Sequence, residues 1–256
     1  PIPIVLNKLL VDFYPEGGHA IAATPNRIYL QARTPLGKPA DLAGRIVDEG
    51  GTEAARVKTL TDASEPGINQ GQGVFTFLPS AGKKYHLVIE SPAGFEKEKF
   101  ALPEVKTEGV ALHLPRGVFE NGIDLKLTSP DKTRELLVGA YCRGKLIDHV
   151  QVQAAKGKET AVALRPAVAM GGVYRVTVFE KVQGPAGKEF LPLAERLIYR
   201  KSTQKLDFSL ENLQSAYAPG DRVELTIQTR NEKKEFAPAV LLVSVVDLGL
   251  IKLADE

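Results

Sequence analysis

Hydrophobic and polar residues alternate near the C-terminal end of the chain. In residues 223–227 apolar positions take every second place, a period of two that predicts a half-buried β-strand. Residues 230–236 are polar and predict a turn. The run 240–246 is rich in Val and Leu, which predicts a second strand with more of its surface buried.

The same order of elements occurs twice more in the chain. Residues 26–32 and 42–48 alternate around a turn containing Pro and Gly, and residues 123–127 and 136–141 form a third pair. The spacing between copies is about 95 residues, the size of a β-sandwich domain rather than of a solenoid repeat. No segment has a long apolar period near 3.6, so the sequence predicts an all-β fold of tandem antiparallel β-sandwiches with very little helix.

Breaks in the alternation predict the domain limits. We expect a lead-in from a preceding segment at residues 1–9, a first sandwich at 10–115 and a second at 116–203. The strand at 110–114 is expected to close the first sandwich. Residues 204–256 hold about half the strands that a sandwich needs, so we expect a partial domain that later residues would complete.

Two tyrosines stand where a sandwich often places one whose hydroxyl bonds to an upstream backbone group. Tyr85 and Tyr174 each begin a predicted strand just after a turn. Nearer the N-terminus, Glu16-Gly17-Gly18 predicts a turn that needs positive φ at glycine. Residues 183–188 are rich in Gly and predict a mobile hairpin end.

Composition excludes several classes of function. The 256 residues carry 33 basic and 31 acidic side chains without runs of one sign, which gives no electrostatic reason to bind nucleic acid. No apolar run reaches the roughly 18 residues of a membrane helix, so direct membrane insertion is not expected. The first residues lack the features of a signal peptide, and an export signal is expected outside this sequence. With a single cysteine, Cys142, no internal disulfide can form.

Two stretches resemble the macroglobulin-like domains of the alpha-2-macroglobulin family. The more specific is Tyr217-Ala218-Pro219-Gly220-Asp221, followed by Val243-Ser244-Val245-Val246-Asp247 and Leu250-Ile251-Lys252-Leu253. The other is Phe13-Tyr14-Pro15-Glu16-Gly17-Gly18 with Pro25-Asn26-Arg27-Ile28, which resembles bacterial surface and outer-membrane-associated members. The resemblance extends over roughly residues 8–256 and implies two complete macroglobulin-like domains and half of a third. It also implies a location outside the cytoplasm, in the periplasm, on the cell surface or secreted.

The chemistry known for that family departs from this sequence. Some members trap proteases with a cleavable bait region and a Cys-Gly-x-Gln thioester, but here the cysteine lies in Tyr141-Cys142-Arg143-Gly144. The resemblance would place the bait insertion near or beyond Glu256. Neither element is therefore expected within these residues.

No group of residues has the spacing of a catalytic, cofactor or metal site. The histidines His19, His86, His113 and His149 are not paired at the short spacings that clamp a metal. Cys142 lies beside Arg143 and Lys145 but on a predicted strand, which favours a buried structural thiol. The glycines of Gly71-Gln72-Gly73 precede a strand rather than a helix, so no phosphate loop is expected. A calcium cluster could use Asp12, Glu16, Asp41 and Asp48, but their spacing matches no known loop, and we expect no metal or cofactor.

We therefore expect a non-catalytic structural and interaction segment of a larger extracytoplasmic protein. Its expected partners are other domains of that protein, with a protease or a surface protein as further candidates. One alternative is part of a protease-trapping inhibitor. The other is a carbohydrate-binding or adhesin array, although the absence of Trp and the 7% aromatic content disfavour it.

Overall fold

Antiparallel strand pairs build almost all of this protein. The computed structural model describes residues 8–168, 170–185, 187–214, 217–218 and 220–246, and no helix occurs among them. The all-β prediction is confirmed. No helix in these ranges is long and apolar enough to cross a membrane. The chain divides into two compact units at Lys201 and Ser202, close to residue 203, where the second sandwich is predicted to end.

The first part of unit 1 is a sandwich of two sheets, here called the first sandwich. One sheet has the order β1-β3-β6 and the other β5-β4-β7-β8, while β2 and β9 form a short parallel pair. The strands are β1 (Leu10–Pro15), β2 (Ala20–Ile21), β3 (Asn26–Arg33), β4 (Ala43–Asp48), β5 (Glu53–Lys58), β6 (Gln72–Phe77), β7 (Tyr85–Ser91), β8 (Phe100–Ala101) and β9 (Val105–Lys106). Ile28 and Leu30 of β3 meet Ile46 of β4 and Leu87 of β7 in one core, because alternate residues of each strand point inward.

The rest of unit 1 forms the second sandwich. Its sheets have the orders β10-β12-β15 and β11-β17-β16-β13-β14. The strands are β10 (Ala111–His113), β11 (Val118–Phe119), β12 (Ile123–Thr128), β13 (Arg134–Cys142), β14 (Lys145–Ala154), β15 (Glu159–Leu164), β16 (Gly172–Gly184) and β17 (Gly187–Arg200). The β16–β17 hairpin ends at the pair Gly184 and Gly187, where the sequence predicts a hairpin end.

The strand β10 corrects one prediction. Alternation predicts residues 110–114 as the last strand of the first sandwich, but β10 pairs with β12 of the second. Val110, Leu112 and Leu114 are all buried in the second core. Alternation predicts that a strand buries one face, but it does not specify which sheet that face meets. Residues 115–117, where the limit between the two sandwiches is predicted, lie within the second sandwich, since the Tyr199 N–H donates to the Gly117 carbonyl at 2.8 Å.

The sequence also missed β5, β8 and β9. In β5 only Val57 is buried, and the strand lies at the edge of its sheet. An edge strand with one inward apolar residue has no alternation to detect. Each of β8 and β9 has two residues, too few to show a period.

Unit 2 has one strand pair among its described residues, between β18 (Leu206–Glu211) and β19 (Thr226–Asn231). The strand predicted at 223–227 therefore begins and ends later. The strand predicted at 240–246 is not formed, and Val240 and Leu242 are almost wholly exposed. Beyond the turn the chain pairs with β19 as far as Ala237, whose N–H donates to the Thr229 carbonyl at 3.1 Å. Some of the predictions concern residues outside the described part of the chain. These are residues 1–7, Pro219 and residues 247–256, which include part of the stretch that resembles macroglobulin-like domains.

The two tyrosine predictions are confirmed. The Tyr85 hydroxyl accepts the Ser80 N–H at 3.0 Å, and the Tyr174 hydroxyl donates to the Met170 carbonyl at 2.8 Å. Tyr174 is wholly buried and also accepts a longer bond from Arg200 at 3.3 Å. Each hydroxyl ties a strand to the turn that precedes it.

Replacing either tyrosine by phenylalanine should lower the free energy of unfolding. Tyr85→Phe and Tyr174→Phe each leave a backbone group without its partner, at a cost of about 1 kcal/mol. Because Tyr174 also binds Arg200, its loss should cost more. Denaturant titration of the full chain measures both effects, with Tyr14→Phe at a half-exposed side chain as the control. Unchanged midpoints for both variants would remove the stabilising role of these bonds.

Candidate functional site at the joint between the two sandwiches

The turn that follows β1 forms part of the contact between the two sandwiches. Gly17 and Gly18 have φ of +86° and +99°, the conformation predicted for them. At Gly17 a Cβ atom would lie 3.2 Å from Cβ of Leu112 and 3.4 Å from Cβ of Ala194. The Gly17 carbonyl accepts the Glu195 N–H at 3.1 Å. Glycine is therefore required here both for its φ and for the close approach of the second sandwich.

The Glu16 carboxylate lies at the centre of this joint. Its side chain is 1% exposed. Arg27 of β3 binds it in a two-pronged pair, with Nε 2.8 Å from Oε2 and Nη2 2.5 Å from Oε1. From the second sandwich, the Leu114 N–H donates to Oε1 at 3.3 Å, and Nδ1 of His113 lies 3.1 Å from Oε2. One carboxylate thus binds groups of both sandwiches.

The backbone of Leu114 is held on both its donor and its acceptor side. Its N–H binds Glu16, and its carbonyl accepts a short hydrogen bond from Nη2 of Arg27. The peptide groups of this residue therefore fit against the planar ion pair of the first sandwich. A bidentate arginine–carboxylate pair has fixed geometry, so it sets the position of the chain directly after β10.

A second arginine approaches from the other sheet of the second sandwich. Nε of Arg196, on β17, lies 3.6 Å from Oε1 of Glu16, and its Nη2 donates to the Tyr29 hydroxyl at 2.9 Å. The Arg196 guanidinium stands over the Tyr29 ring at 4.6 Å from its centroid, with that of Arg27 at 5.5 Å. The ring face attracts both cations, which offsets their mutual repulsion beside a single carboxylate.

The segment that connects the two sandwiches is closely packed at Gly109. A Cβ on Gly109, which has φ of +136°, would lie 2.9 Å from Cδ1 of Ile21 in the first sandwich. The Gly109 N–H donates to Asp131 of the second sandwich at 3.4 Å. Asp131 in turn forms two 2.7 Å bonds with Arg134, whose side chain is buried. Burial opposes ionisation of Asp131, but these bonds outweigh it and lower the pKa of the carboxyl.

The four acidic residues considered for calcium do not share a partner. Asp12 pairs with Arg33 at 2.9 Å, and Glu16 occupies the joint. The Gly71 N–H binds Asp41 and lowers its pKa. Lys83 at 2.6 Å and the Thr52 N–H lower the pKa of Asp48. Within the described ranges, no group of three or more His, Cys, Asp or Glu residues could hold a metal ion.

The histidines occupy unrelated places. His19 and His149 are exposed, and His86 is half-buried with its pKa lowered by burial and by Lys99. His113 alone joins the site, through Glu16. Gly71, considered for a phosphate loop, lies in a turn with φ of +69°, where a Cβ would come within 2.4 Å of the Ala32 carbonyl oxygen.

The local sequence predicts the Glu16-Gly17-Gly18 turn but not the groups that bind Glu16. Tyr29, Leu114 and Arg196 carry no local signal for this contact, and Arg27 stands out in the sequence only as part of Pro25-Asn26-Arg27-Ile28. Three of them lie on strands, where an outward-pointing polar or aromatic side chain is ordinary. The available signal was the glutamate placed directly before two glycines, since a carboxylate at a tight turn needs donors from elsewhere in the chain.

Cys142 is buried, as predicted. It is 1% exposed and packs in the core of the second sandwich with residues such as Val138 and Val176. A thiol in an apolar core reacts slowly because a reagent reaches it only when the structure opens.

Cys142 should therefore resist a bulky thiol reagent in the native protein and react fully after denaturation. Labelling followed by mass measurement checks this. A matched control is Leu36→Cys, at a position 86% exposed, which should label at once. Labelling of Cys142 at the rate of the Leu36 variant would contradict its place in a closed core.

Comparison with known proteins gives a single type of match. No family model and no curated protein matches the chain. Among solved structures, it is similar to the cryo-EM reconstruction of the native conformation of E. coli alpha-2-macroglobulin, with a TM-score of 0.24 and 11% sequence identity. The match covers 87% of this chain and 16% of that one, so the chain spans about a sixth of the length of that protein.

Proposed function

We propose that the chain is a non-catalytic structural and interaction segment of a larger extracytoplasmic protein, in which the first two sandwiches act as one rigid spacer. The observation that carries this proposal is the buried Glu16 carboxylate, which is bound by groups of both sandwiches. The sequence resemblance to macroglobulin-like domains supports the extracytoplasmic setting.

Neighbouring domains of one chain usually move relative to each other unless the interface between them is large or specific. Here, rotation of the second sandwich would separate Leu114 and Arg196 from Glu16. The carboxylate, which is almost fully desolvated, would then have Arg27 as its remaining strong partner. A buried ion that loses partners is strongly destabilised, so the joint favours a single orientation.

The bonding pattern also favours a structural role over a catalytic one. The Glu16 oxygens accept from Arg27 and Leu114, and the Arg27 guanidinium binds both Glu16 and the Leu114 carbonyl. A catalytic carboxylate needs an oxygen directed at a substrate, whereas this one is directed at groups of the protein itself. Fixed spacing between two domains is a property that a scaffold requires.

Glu16→Gln tests the spacer. The amide retains the shape of the side chain but loses the charge that holds Arg27 and Arg196. We expect the free energy of unfolding to fall by about 3 kcal/mol, as when one partner of a buried ion pair is removed. We also expect a broader distribution of distances between the sandwiches. Spin labels at exposed strand positions, Lys58→Cys in β5 and Gln153→Cys in β14, report that distribution by pulsed electron resonance.

The matched control is Asp12→Asn, which removes a carboxylate of the first sandwich that pairs at the surface with Arg33. Surface pairs contribute little, so its distance distribution should match that of the wild type. A wild-type distribution as broad as that of Glu16→Gln would contradict the rigid spacer. So would a Glu16→Gln distribution as narrow as that of the wild type.

A further inference from the structure

The outer face of the five-stranded sheet in the second sandwich is unusually apolar. On β16 and β17, Val173 and Leu197 are 57% and 58% exposed, and Tyr199 is 47% exposed. Val173 lies directly opposite Tyr199, and Arg175 lies opposite both Leu197 and Tyr141. These side chains are cross-strand neighbours and form one continuous surface, here called the outer face.

Two β-bulges increase the apolar content of the outer face. In the β16–β17 pair the register shifts after Val178, so that Phe179 lies opposite Pro192 on the outside while Leu193 packs against the core. In the β13–β14 pair the shift after Ala140 places Leu146 opposite Tyr141. A bulge redirects side chains relative to simple alternation, and here each bulge adds an apolar residue to the outer face.

The outer face is also flat around Gly139. Gly139 has no side chain, and a Cβ there would lie 2.9 Å from Cε2 of Tyr141 and 3.2 Å from Cδ1 of Leu146. The Tyr141 ring and Leu146 therefore lie over the backbone of Gly139 instead of standing out from the sheet. A glycine covered by an aromatic ring leaves a smooth sheet surface, the shape that packs against a second sheet.

The Arg175–Glu195 ion pair lies within the apolar surface, and a second pair, Lys181 with Glu135 at 3.3 Å, lies on the same side of the sheet near Phe179. Nε of Arg175 lies 3.4 Å from Oε1 of Glu195, and the Thr177 hydroxyl donates to Oε2 at 3.0 Å. Both charged side chains are about half exposed or more. Charges of opposite sign that lie side by side make this part of the face complementary to a copy of itself turned through 180°, because Arg175 of each copy then meets Glu195 of the other.

We propose that the outer face is a homodimer interface, in which two copies of the chain pack their five-stranded sheets face to face about a two-fold axis. Val173, Leu197 and Tyr199 are each about half exposed, and contiguous exposed apolar side chains mark interaction sites on soluble proteins. Self-complementary charge favours a second copy over a partner of a single charge sign.

Sedimentation velocity of the full chain over a range of concentrations tests the proposal. We expect a monomer–dimer equilibrium, and the variants Leu197→Lys and Val173→Lys should each weaken it by at least about tenfold in Kd, since a lysine at the centre of an apolar contact is buried without a partner. The controls place the same substitution on other exposed leucines, Leu36→Lys in the first sandwich and Leu242→Lys in unit 2. Both should associate like the wild type.

A charge exchange distinguishes face-to-face pairing from any other association. Arg175→Glu and Glu195→Arg should each be monomeric alone, because each variant presents two like charges to its own copy. Mixed together, they should form a heterodimer, since a face with two anions meets a face with two cations. Three outcomes would each overturn the proposal. The wild type could be strictly monomeric, dimerisation could be lost only in Leu242→Lys, or the mixed charge variants could fail to associate.

Discussion

The arrangement of the two sandwiches depends on one desolvated carboxylate. Glu16 lies at a turn of the first sandwich and is 1% exposed, so its charge must be balanced by donors from the protein. Arg27 supplies the balancing charge within the same sandwich. The second sandwich supplies a backbone N–H, a histidine and a second arginine. Because no single sandwich completes the set, the site exists only when both are folded and correctly placed.

Hydrophobic alternation predicted much of the fold. In β3, β6 and β12 every second side chain enters a core, and these strands lie where their periods of two predict them. The two tyrosines were predictable because their bonds are local, to Ser80 and Met170. Patterns that extend over a few residues reflect interactions over a few residues, and the sequence displays those directly.

What could not be predicted depends on contacts between distant parts of the chain. Glu16 binds Arg27 at a separation of 11 residues, but His113 and Leu114 at 97 and 98. The assignment of β10 failed for the same reason, because its period of two is equally compatible with either sandwich. In unit 2 the apolar run at 240–246 has the composition of a strand but pairs with no other strand among the described residues. Composition indicates that a segment tends to form a strand, but it does not identify the strand that it would pair with.

The packed link at Gly109 has a consequence for how such a chain can change in length. Loops in most multidomain proteins accept insertions readily, because the added residues extend into solvent. Gly109 instead has no room for a side chain beside Ile21, and its N–H binds Asp131, while Leu114, a few residues later, is fixed to Glu16 and Arg27. An inserted residue would displace one of these two anchors. The pair of sandwiches is therefore expected to be inherited and exchanged as a whole, with variation in length confined to exposed turns such as the end of the β16–β17 hairpin.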